Sequence, residues 1–159
     1  MTEQELIMRF NKYTTAIIAA AMVTLGTYSG SLLAHGASAV MDSQGNDSAF
    51  TGLARVTCFN DGNGDTADLI ARVRDNSAPV FGLYLTVHLL KGTRAIHVTD
   101  NFPGDAQYSP FISLPGGNGV YQMMLTKTQA GARAFDLEWH CMTAGNIHTG
   151  TDIVVDQFD

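Results

Sequence analysis

Arg133 to Met142 reads RAFDLEWHCM, and it alternates without a break: Phe135, Leu137, Trp139 and Cys141 fall on one side, Asp136, Glu138, His140 and Met142 on the other. A period of two sustained over ten residues is the signature of a β-strand with one face toward a core. The same alternation recurs in Leu53 to Phe59, Leu69 to Arg74, Leu83 to Leu90, Arg94 to Thr99, Gly119 to Thr126 and Ile147 to Val155. Between these runs lie turn clusters, among them Asn60 to Asp65, Asn76 to Pro79, Lys91-Gly92, Pro115 to Asn118 and Gly145-Asn146. After Ala39 every acidic residue except Glu138 is Asp, and the Glu, Lys and Gln that clothe exposed helices are scarce. The expected fold is all-β, an antiparallel sandwich of about seven strands.

Composition narrows the function. The chain has 159 residues with Lys+Arg 9 against Asp+Glu 15, a net charge of -6 and 45% hydrophobic residues. That is one ordinary domain able to bury a core. No basic patch interrupts the acidic balance, which argues against a nucleic-acid partner.

Arg9 and Lys12 precede an uncharged stretch from Thr14 to Ala34, and the small residues Ala37-Ser38-Ala39 follow. This is the anatomy of a secretory signal peptide, expected over residues 1–39, with the sandwich domain over 40–159 and no membrane span after cleavage. A second possible cut, after Ala34, would leave His35 at the new N-terminus. An N-terminal His offers its amine and imidazole together to one copper ion, which resembles the grip of histidine-brace copper enzymes. The only cysteines, Cys58 and Cys141, both lie in the exported part and should pair.

A disulfide from an early strand to a late one resembles the immunoglobulin-like sandwich. The chain departs from antibody domains in its Trp139, which stands two positions before Cys141, where that family carries a corner Tyr. A likeness of architecture implies no activity.

Placing side chains on faces brings out the histidines. With Thr143-Ala144-Gly145 as a three-residue loop and Gly145 left-handed, His140 lies opposite His148 and Met142 one step along. Two imidazoles and a thioether suit copper or zinc, and in an oxidising exported domain copper, with Glu138 or Asp152 as an outer partner. With Lys91-Gly92 as a two-residue turn, His88 and His97 share a face on a diagonal and form a second candidate pair. Asp61 to Asp68 offers alternating oxygens but lacks the Gly and the final Glu of a calcium loop, so an inter-sheet loop is expected. No nucleophile elbow, phosphate-cradling loop or zinc motif is present, and no catalysis is expected. Phe102, Tyr108, Pro110 and Phe111 form an aromatic loop, either a packed lid or a sticky patch. These signs point to an exported, non-catalytic binding or structural module of the cell envelope or extracellular space, with a protein or glycan partner. Copper handling through His140, Met142 and His148 is the competing function.

Overall fold

A computed structural model describes residues 35–159 of the protein; the expected leader lies outside the described residues as far as Ala34. Among the described residues there are nine strands and no helix. They are β1 (Gly36–Met41), β2 (Thr51–Phe59), β3 (Thr66–Asp75), β4 (Leu85–Lys91), β5 (Arg94–Asp100), β6 (Ile112–Pro115), β7 (Gly119–Lys127), β8 (Arg133–Thr143) and β9 (Gly150–Phe158). A four-stranded sheet runs β1-β8-β3-β6 and a five-stranded sheet β5-β4-β7-β2-β9, all neighbours antiparallel.

The alternating residues fill one core between the sheets. Leu69, Ala71, Val73, Phe135, Leu137, Trp139 and Cys141 come from the first sheet; Val56, Leu85, Val87, Leu89, Tyr121, Met123 and Leu125 come from the second. Burying such side chains at about 1.5–3 kcal/mol each is the main force holding the sheets together. Cys58 on β2 and Cys141 on β8 form the expected disulfide and so staple one sheet to the other, Cα to Cα 5.6 Å. Two buried ion pairs close the loops at one end: Lys127 with Asp42 at 2.8 Å, and Arg133 with Asp75 at 3.3 Å. Arg133 also donates to the carbonyls of Ala78 and Leu83, while its Nε meets Asp75 as a charge pair without a hydrogen bond.

Two details of register differ from the sequence reading. The last two strands are not a hairpin: β9 pairs with β2 in the other sheet, and after the loop only a Met142–His148 bridge joins the segment to β8. β1 and β3 flank β8 on its two sides over Phe135–Glu138, and β9 completes its ladder on the edge of β2 away from β7. The chain crosses between sheets at Thr149, whose hydroxyl donates to the Gly64 carbonyl at 2.7 Å with the Phe59 carbonyl also in reach at 3.0 Å, and at Gly150, where a Cβ would sit 2.4 Å from the Phe59 ring. The left-handed loop residue is Asn146 (φ 58°), not Gly145. In the other hairpin the turn is Gly92-Thr93, with Gly92 at φ 57°. That one-residue shift puts His88 directly opposite His97.

Candidate metal site

The outward row of β8 carries Asp136, Glu138, His140 and Met142, yet His140 is only 4% exposed and Met142 only 8%. Three rings surround the imidazole. His148, held just after the β8 turn, stacks on it with centroids 4.3 Å apart and planes 25° apart. His35, just before β1, stands 6.2 Å away at 69°. Phe111, just before β6, lies at 6.3 Å. His35 is placed by its own backbone, whose carbonyl accepts the Trp139 N–H at 3.0 Å, one residue short of the β1–β8 ladder.

Hydrogen bonding fixes which nitrogen is free. His140 Nε2 lies 2.9 Å from Glu138 Oε1. Burial pushes the Glu138 carboxyl up, but hydrogen bonds from His140 and Arg72 outweigh it and hold the group below its ordinary range. An ionised carboxylate only accepts, so Nε2 carries a hydrogen, and in the neutral imidazole Nδ1 is then the nitrogen with the lone pair. That Nδ1 is buried with no hydrogen-bond partner, and so is Nδ1 of His35. Orphaned buried nitrogens are uncommon, and here two lie on neighbouring imidazoles. The carboxylate behind His140 is itself held by Arg72 Nε at 2.8 Å, and the Arg72 guanidinium lies 4.3 and 4.2 Å from the Tyr108 and Phe111 ring centres. A ligating His that donates its second N–H to an anchored carboxylate is the usual support of a metal ligand.

Electrostatics favour the neutral form of His35 and His148. Burial, then the neighbouring His140 and His148, lowers the His35 pKa; burial and His140 lower that of His148, with Glu138 opposing. Neutral imidazoles are the form that binds metal. Two imidazoles on one ion, each bonded at about 2.0–2.1 Å, place their ring centres up to about 6.4 Å apart, close to the His35–His140 spacing. Among the described residues no three His, Cys, Asp or Glu side chains are grouped to hold one ion. The side chains therefore supply a pair, His35 and His140, with His148 stacked flat beside it.

No family model, curated protein or solved structure matches the chain. The remaining candidates fall elsewhere. His88 and His97 lie on the other sheet with centroids 5.5 Å apart, and His88 Nε2 is within hydrogen-bond reach of the Thr126 hydroxyl at 3.0 Å. Asp152 is exposed on β9 opposite Thr57, so of the two expected outer partners only Glu138 reaches an imidazole. Asp136 is paired with Arg74 and bonded by Ser38 and Asn76, which hold its pKa down to about 2. The Asn60–Asp65 segment is an inter-sheet loop whose side-chain oxygens already accept from Gly62, Gly64 and Asn118. Of the aromatic loop, Tyr108 and Phe111 pack on Arg72, while Phe102 is 71% exposed.

Proposed function

We propose that the protein is an exported, non-catalytic binding module of immunoglobulin-like type whose ligand at the His35–His140 site is a copper ion. The observation that carries this reading is a pair of buried, unpartnered Nδ1 atoms on two imidazoles, His35 and His140, whose ring centres lie 6.2 Å apart. Nitrogen donors favour copper over the other divalent ions of its row, and the cross-linked cysteines suit an oxidising compartment where a copper-binding domain would work. Strand order supports the immunoglobulin-like type: β2 lies beside β7 and β3 beside β8 in opposite sheets, with the disulfide from β2 to β8. Copper added to protein purified from the exported fraction should bind one ion per chain in competition with a chelator. His140→Ala with His148→Ala should abolish uptake while the β circular-dichroism spectrum is kept; unchanged uptake would overturn the site.

A second reading, a protein or glycan partner, draws on Phe81, 99% exposed, with Phe102 across an adjacent hollow lined by Pro79 and Tyr84. Aromatics left in water mark contact surfaces more often than stability. Phe81→Ser should then remove partner capture from a cell-surface extract without changing copper uptake.

A further inference from the structure

We propose that the slot between the edge strands β1 and β9 binds a single alkyl chain of about ten to twelve carbons, carried by an uncharged amphiphile whose head group meets Gln157. β1 ends one sheet and β9 the other, and the two line one cavity of about 310 Å³. Its floor belongs to the core, with Met123 and Leu125 from β7 and Leu137 and Trp139 from β8 all buried. Space is left above them because the strands that border it carry short side chains, Ala37 and Ala39 on β1 and Ala54 on β2, whereas sheets about 10 Å apart meet only through longer ones. Val155 records the result. It sits opposite the buried Ala54, in the inward row, yet it is 63% exposed. Core-facing hydrocarbon left in water gains from an apolar guest that covers it, and a cavity with such walls takes up hydrocarbon rather than water.

A bulge in β9 closes one end of the slot. Val155 pairs with Ala54 and Gln157 with Leu53, so Asp156 between them is the extra residue. Without it Gln157 would fall opposite Gly52; with it Phe158 does, and its ring lies 6.2 Å from that of Phe135 and 5.2 Å from that of Phe50. Gln157 is thereby left exposed at the rim.

The dimensions and the charge select the guest. From Phe135 to Trp139 the slot follows four residue steps of β8, about 13 Å, which spreads its volume over a cross-section of about 24 Å². An added peptide strand with its side chains fills about 4.8 by 10 Å, twice that section, so one hydrocarbon chain fits where a strand does not. Since a cavity of about 150 Å³ takes up one benzene, this one holds about twelve carbon atoms. β1 has no charged residue, and β9 has Asp152 and Asp156 but no Lys or Arg; the nearby Arg55 is already paired with Asp156. A carboxylate or phosphate head is repelled there, while the Gln157 amide offers a donor and an acceptor to an alcohol, ester or amide.

The test titrates decanol into the exported protein and reads the fluorescence of Trp139, the only tryptophan of the chain. A chelator is kept present, because copper at His35, whose ring lies 6.5 Å from the indole, would quench it. Expected is a saturable shift at one site per chain, with octanol, two methylenes shorter, binding about 15-fold more weakly. Decanoate should bind more weakly than decanol. Val155→Asp puts a charge at the mouth, on an exposed position, and Ala54→Leu fills the slot from within; each should abolish the shift in a chain that keeps its β circular-dichroism spectrum. No saturable response, equal binding of octanol and decanol, or full binding by a folded Val155→Asp chain would overturn the proposal. A dimer in sedimentation that decanol leaves intact would give this face to a second copy and overturn it as well.

Discussion

Reducing the Cys58–Cys141 bridge should cost the domain a large part of its stability. The two cysteines are 83 residues apart in sequence and join the two sheets. Opening a loop of that length returns about 4.5 kcal/mol of chain entropy to the unfolded state. With an unfolding entropy of about 2.1 cal/mol/K per residue, a domain of about 125 residues should melt roughly 17 °C lower. Both sulfurs are buried, so the reduced thiols remain in the same apolar surroundings and add little penalty of their own. The assay is calorimetry of the exported protein before and after reduction, with the thiols blocked. Since Cys141 follows His140 directly, the reduced protein should also bind copper less tightly. A drop below about 5 °C, or two free thiols titrating in the unreduced protein, would refute the staple.

Other substitutions report on other parts of the structure. Glu138→Gln leaves His140 without its anionic partner and should weaken copper binding by about 10–100-fold with little change in melting temperature, read by competition titration. Arg133→Met strands the buried Asp75 carboxylate and should destabilise by about 3–5 kcal/mol in urea unfolding; adding Asp75→Leu should recover most of it. His35, His88 and His148 all have lowered pKa values, so below their ordinary 6.5 the unfolded chain takes up more protons than the folded one. Stability without metal should therefore be full above pH 6.5 and fall as the pH drops below it, which thermal melts across pH 5–8 will show. A second loss should follow in acid, from 3.8 down to about 2, as Asp136 gives up its bonds to Ser38, Asn76 and Arg74.

Most of the fold was legible because its long strands keep one face inside. Seven of the nine strands carry the period-two pattern, and Phe135, Leu137, Trp139 and Cys141 face the core as that pattern requires. β6, with four residues, is too short to show a period. β1, spelled Gly36-Ala37-Ser38-Ala39-Val40-Met41, has the small residues that a signal peptidase also prefers, and its two meanings compete. The hairpin reading followed from the short Thr143–Gly145 loop alone, and periodicity carries no sign that β9 turns away to pair with β2.

The site itself was half visible. His140 and His148 do come together, but through the bridge at Met142 and a stacked pair of rings rather than through facing positions on a hairpin. His35 stood out only as a possible N-terminal residue; nothing in local periodicity connects it to a strand that begins about a hundred residues later. Its placement depends on β1 pairing with β8, a long-range contact that periodicity alone does not encode. The second pair, His88 and His97, lies on the expected face but directly opposite rather than diagonal, because Gly92 rather than Lys91 opens the turn and the partners shift by two residues.

The most direct measurement is an anomalous difference map at the copper absorption edge from crystals of copper-loaded exported protein. Expected is one peak per chain at about 2.0–2.1 Å from Nδ1 of His35 and from Nδ1 of His140, with Glu138 still holding Nε2. A peak between His88 and His97 instead, or no peak at either pair, would contradict the assignment of copper to this site.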